Sequence, residues 1–298
     1  MIGCRLDFVN LGPADTQPAV RELKPARAVR RRFAAIGKVC MAKSGRKPSG
    51  AGVWLYGRHA VAAALANPER CWHRLVVLAG HEEEAAVLAA AARAARRGSG
   101  AAISVLDQSG FATILPRHAV HQGLALEVEP LPEPDLEDVL PTGPASGRCI
   151  IVVLDQLSDP QNIGAVLRSA AAFGALAVVI PAHGAPPQTG ALAKAASGAL
   201  ERVPLVRVVN LARALDRLKG AGFWICGLDE TAPLSLAQTD LGERVAIVLG
   251  SEGAGIRRLV RERCDFRARL PTRPAQPTLN VSNAAAVALY ELTRGRDR

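Results

Sequence analysis

The spacing of apolar and polar positions changes character along the chain. From residue 148 onward, short unbroken apolar runs alternate with amphipathic segments. Runs at 150–154, 176–180, 203–208, 223–228, 245–249 and 266–270 read as strands buried on both faces. Helical spacing falls between most of them, at 162–173, 210–220 and 256–264, with a last helix over 280–294. Strands of this kind alternating with helices predict an α/β fold, a parallel sheet covered on both sides.

An earlier stretch has its own pattern. Residues 57–67 and 81–97 read as helices, and 74–80, 103–106 and 124–129 as strands. The 81–97 helix opens on Glu82-Glu83-Glu84, closes on arginines and stops at Gly98, matching the helix dipole. Residues 53–130 therefore form a smaller α/β unit. Five prolines and two glycines break any period over 130–148. We read 131–147 as a linker and 148–298 as a second domain.

Composition narrows the class. The 298 residues suffice for two modest domains, and 49% hydrophobic residues exclude wholesale disorder. No apolar run approaches the roughly 18 residues of a membrane span. The six cysteines, at 4, 40, 71, 149, 226 and 264, are scattered without a CxxC pair. That pattern points to a reducing, cytoplasmic setting and to no metal site. The net charge of +10 is concentrated. Residues 1–52 hold 11 Lys+Arg against 3 Asp+Glu, a net of +8, which leaves +2 for the rest. This tail is expected to be flexible. It reads as a phosphate-binding arm or as a solvated leader, while Asp7, Asp15 and Glu22 weaken a transit-peptide reading. Met41 is a second candidate start.

Three stretches stand where α/β sheets bind ligands, beyond the carboxyl ends of strands. In LDQLSDPQNIGAVLRS (154–169), Ile163, Val166, Leu167, Ala170 and Ala171 form the buried stripe. Arg168 lies about 140° round from Ile163, off that stripe. Gly164, one turn before it, leaves room beside its side chain. Asn162 stands at the helix entrance, either as a cap or as a functional amide. In IVLGSEGAGIRR (247–258), Gly250, Gly253 and Gly255 bracket Ser251-Glu252, and the absent GK[ST] argues against nucleotide hydrolysis. Glu252 is a carboxylate on a tight turn, or a cap for the helix from Ile256. In PTLNVSNAAAVALYE (277–291), Thr278, Asn280, Ser282 and Asn283 are more polar groups than one cap needs.

Together these stretches resemble the three motifs of the SpoU/TrmH family of RNA 2′-O-ribose methyltransferases, in the family's order. YGRHAVAAAL (56–65) and HQGLALEVEP (121–130) resemble the L30e-like RNA-binding domain that precedes the catalytic domain in the ribosomal RNA guanosine methyltransferases of that family. The resemblance covers about 53–294. It implies a trefoil knot at the carboxyl end of the sheet, a homodimer, and S-adenosylmethionine held by the backbone of Gly250, Leu270 and Leu279. It also implies a catalytic Arg168 positioned with Asn162, Glu252 and Asn280, and a guanosine of 23S ribosomal RNA as substrate. Transfer RNA is the alternative substrate, and a non-catalytic RNA-binding role the alternative class. Thr278 stands where the family usually has serine, and PTRPAQPT (271–278) departs from its usual cofactor loop.

Overall fold

The computed structural model describes residues 52–95, 102–143, 147–273 and 278–294. The basic tail, the arginine end of the helix expected over 81–97 and residues 274–277 lie outside them. The first unit contains β1 (Val53–Tyr56), α1 (Arg58–Ala66), β2 (Trp72–Leu78), α2 (Glu82–Ala95), β3 (Ala102–Leu106), α3 (Gln108–Ile114) and β4 (Leu124–Val128). Its strands form one sheet in the order β1-β4-β2-β3. β1 and α3 escaped the sequence reading. Four residues are too few to show a period, and α3 buries only Phe111.

The segment read as a linker is partly ordered. It forms the single-turn α4 (Leu136–Val139), with a capping box between Asp135 and Asp138. Leu136 and Val139 are buried against the second sheet, which makes this segment part of that sheet's covering.

The second unit alternates as its pattern predicts: β5 (Cys149–Leu154), α5 (Pro160–Ala172), β6 (Ala177–Pro181), α6 (Gly190–Ala196), β7 (Leu205–Val208), α7 (Leu211–Gly220), β8 (Trp224–Leu228), β9 (Arg244–Leu249), α8 (Arg258–Arg261), β10 (Phe266–Ala268) and α9 (Val281–Thr293). The six strands are all parallel, in the order β10-β8-β9-β5-β6-β7. Both faces are covered. Ile150, Val152 and Leu154 of β5 point into one core, and Ile151 and Val153 into the other. The helix expected over 256–264 shrinks to one turn, because residues 251–257 are used in a turn and a tether.

The first core continues from the small sheet into the large one. Glycines let the two units approach. A Cβ on Gly190 would collide with the Trp54 carbonyl oxygen, and one on Gly198 with the Ala63 side chain. A buried ion pair, Arg70 with Glu201, closes the contact.

Candidate active site

β5 and β9 are adjacent, and Leu154 stands opposite Leu249 where both strands end. The first two motif stretches therefore leave the sheet side by side. Asp159 caps α5: its carboxylate accepts from the N–H of Gln161 (3.0 Å) and of Asn162 (3.3 Å), with Pro160 in the first turn. The cap role is thus taken, and the Asn162 side chain is free for other use.

The third stretch reaches this point from α9, which packs on α5. Asn280 caps α9. Its Oδ1 accepts from the N–H of Ser282 (2.9 Å) and from the Ser282 hydroxyl (2.6 Å). Two donors on that oxygen fix the amide orientation, so Nδ2 faces outward. Nδ2 donates to Glu252 Oε1 (2.7 Å) and to Asn162 Oδ1 (3.1 Å). The N–H of Val281 also points at Glu252 Oε1, at 3.4 Å. Glu252 caps no helix of its own. It sits at the amino end of α9, where the helix dipole favours a carboxylate. One amide thus ties all three motifs together and leaves Glu252 Oε2 and the Asn162 NH2 to engage a ligand.

Arg168 is not in this cluster. It follows Asn162 by six residues, about 9 Å of rise and 120° of rotation along α5. Its side chain is exposed, with no hydrogen bond or ion pair among the described residues. Gly164 does not make room for it, contrary to the sequence reading. Gly164 is buried under α6, where a Cβ would meet the Ala195 carbonyl carbon and the Ala196 nitrogen at 2.8 Å.

Gly250 has a local structural reason. The turn after β9 closes on itself through paired Ser251 and Gly255 backbone hydrogen bonds (3.2 and 2.9 Å). A Cβ on Gly250 would strike the backbone of Gly255 and Ile256. Leu270 is half-buried on the main core, and Leu279 is partly exposed just before Asn280. The backbone groups of these three residues enter none of the turn, cap or loop hydrogen bonds among the described residues. They fit a ligand such as S-adenosylmethionine, which offers amide, ring-nitrogen and carboxylate partners.

The sequence reading missed Asp155. It is fully buried, and its carboxylate accepts from the N–H (2.8 Å), Nε (2.8 Å) and guanidinium NH2 (2.6 Å) of Arg257. This clamp holds the exit of the turn that carries Glu252. Its only sequence signal is an acid directly after an apolar strand.

The profile of the SpoU rRNA methylase family matches residues 149–290. The profile of the RNA 2′-O-ribose methyltransferase substrate-binding domain matches residues 54–134. A Coxiella burnetii protein, 23S rRNA (guanosine-2′-O-)-methyltransferase RlmB, is 39% identical over 247 residues, which cover 82% of this chain and 96% of the relative. The chain belongs to the SpoU family of RNA methyltransferases. A Synechocystis relative named as a tRNA/rRNA methyltransferase is 36% identical over 243 residues, and this chain spans 62% of its length. Among solved structures, the SpoU methyltransferase AviRb of Streptomyces viridochromogenes, in complex with AdoMet, shares the fold. Its TM-score is 0.66 at 21% identity, covering 92% of this chain and 98% of that one. The hydrogen-bonded Asn162, Glu252 and Asn280 come one from each of the three stretches singled out in the sequence.

Proposed function

We propose that this SpoU protein transfers the methyl group of S-adenosylmethionine to a ribose 2′-hydroxyl of RNA, with a guanosine of 23S ribosomal RNA as its substrate, and works as a cytoplasmic homodimer. The observation that carries the reading is the Asn280 amide joining Asn162 and Glu252 beyond the ends of β5 and β9. Residues 53–130 act as the L30e-like RNA-binding domain, 131–147 as the connection and 148–298 as the catalytic domain.

Bound S-adenosylmethionine supplies an electrophilic methyl group on a sulfonium. The backbones of Gly250, Leu270 and Leu279 hold it. Asn162, Glu252 and Asn280 orient the ribose, so that the rate gain comes mainly from alignment. Arg168 stabilises the oxygen as it loses its proton. A guanidinium, which holds its proton, is a poor base but a strong electrostatic partner for an alkoxide.

In one chain Arg168 stands apart from the other three. That separation supports a dimer in which the exposed side of α5 meets the site of a second copy. Val287 and Tyr290, exposed on the adjoining α9, would be covered in the same contact. The chain leaves β10 at the sheet edge and returns to α9 on α5, with Asn280 against the 250–256 turn. This return supports a trefoil-knotted carboxyl end.

Incubation with methyl-labelled S-adenosylmethionine and 23S ribosomal RNA, followed by mass-spectrometric mapping, should place the label on one ribose. Arg168→Ala should lower kcat by about 10²–10³, the usual loss for one oxyanion donor. Unchanged kcat overturns the role of Arg168. Label on transfer RNA alone favours the second substrate, which the name of the Synechocystis relative includes.

A further inference from the structure

The YGRHA and HQG stretches meet at one end of the small sheet. The N–H of Gly57 donates to the Leu124 carbonyl (3.1 Å), and that of Leu78 to the Gly123 carbonyl (2.9 Å). His81 and His121 flank this junction, and Arg58 and His59 are exposed on it. At its centre is Gln122, held at φ +53°, a left-handed conformation unusual for a residue with a side chain. Unusual backbone of this kind collects at binding sites.

Gln122 Oε1 accepts from the N–H of Arg58 (3.2 Å) and from the ammonium of Lys194. Both partners can only donate, so the oxygen is the atom that must face them. The Gln122 NH2 is therefore turned away, with no partner among the described residues. Lys194 belongs to α6, in the other unit. It forms no ion pair among the described residues, whereas Lys219 pairs with Asp265. Arg58 is different, because Glu84 neutralises it. Partial burial of Lys194 lowers its pKa, as expected for a cation that lacks a counter-charge.

This seat and the candidate catalytic cluster stand on two helices in contact, α6 and α5. Ala195 and Ala196, the next residues of α6, lie against Gly164, two residues beyond Asn162.

We propose that the Gln122 amide and the Lys194 ammonium together bind a backbone phosphate of the RNA substrate, one group from each unit. The clamp rests on the RNA-methylation reading and deepens it. It fixes where the strand crosses between the units, a set distance from Asn162. The amide donates two hydrogens to the phosphate oxygens and the ammonium supplies the counter-charge.

The test uses the full chain and transcribed 23S ribosomal RNA in filter binding from 50 to 200 mM salt. Lys194→Gln should weaken binding throughout and reduce the slope of log affinity against log salt by about 1. Lys194→Arg should keep the slope. Gln122→Ala should weaken binding with little change in slope. KM for RNA should rise with kcat and S-adenosylmethionine binding unchanged. An unchanged slope in Lys194→Gln, with methylation intact, overturns the clamp. An equal loss of cofactor binding also overturns it, by assigning the effect to the fold. Should Lys194→Gln not fold, the Gln122→Ala and Lys194→Arg results decide alone. A wild-type chain that binds RNA through Lys194 yet methylates nothing overturns the proposed function and leaves the clamp standing.

Discussion

Glu201→Ala removes one half of the ion pair between the two units. The Arg70 and Glu201 side chains are 2% and 4% exposed, so water screens neither. Arg70 Nε donates to Glu201 at 3.1 Å and its NH1 to the Glu129 carbonyl at 2.9 Å; Asn67 Nδ2 donates to Glu201 at 2.7 Å. Truncation leaves a buried guanidinium with one neutral acceptor and strands the Asn67 amide. Breaking such a pair from one side costs about 3–5 kcal/mol. At 2–4 °C per kcal/mol for a chain of this size, the melting temperature should fall by about 6–20 °C. Replacing both partners, Arg70→Met with Glu201→Leu, should recover most of the loss, because no unpaired charge remains. Scanning calorimetry of Arg70→Met, Glu201→Leu and the double variant gives the full cycle. A Glu201→Ala variant within about 1 kcal/mol of wild type would refute the buried pair. So would a double variant as unstable as the sum of the singles.

Three further outcomes are expected. Gly164→Ala gains up to about 1 kcal/mol in helix propensity but drives a methyl into the backbone of α6. Overpacking of about 1–3 kcal/mol should win, and a higher urea midpoint would contradict the α5–α6 contact. Asp155→Asn turns an NH2 toward Arg257 donors; it should cost about 1–3 kcal/mol and raise KM for S-adenosylmethionine through the 250–257 turn, so unaltered kinetics would uncouple the clamp from the site. Burial pushes Cys226 up to about 12 and Cys264 up to about 11. Because the folded thiols titrate above their ordinary value of 9.0, their contribution is intact below pH 9 and is lost as pH rises from there through about 11 for Cys264 and about 12 for Cys226. Unfolding free energy should fall over that window, and alkylation of the buried Cys226 in the native state at pH 8 would contradict the burial.

What the chain revealed in advance follows from what periodicity can carry. The parallel sheet was legible because its central strands are apolar without interruption, Ile150 to Leu154 above all. β1 and α3 were not, being too short to repeat. Asn162 and Asn280 were visible as surplus polar groups at helix entrances. Their partnership was not, since 118 residues separate them and only the fold brings them within 3.1 Å. Gly164 was misread because the sequence shows a missing side chain but not the neighbour that requires it. Asp155 was hidden because an acid after a strand looks alike whether solvated or buried. The ion pair of Arg70 and Glu201 had no local signal at all.

The order in which the two linked amides are synthesised has a consequence in time. Asn162 emerges 118 residues before Asn280, the residue that positions it. At about 5–20 residues per second, translation separates them by roughly 6–24 s. During that interval the amino-terminal unit, β5 and α5 can already be folded. On the proposed reading, a nascent chain in which α9 has not docked can hold RNA but has no assembled centre to act on it. Commitment to the substrate can thus precede competence to modify it.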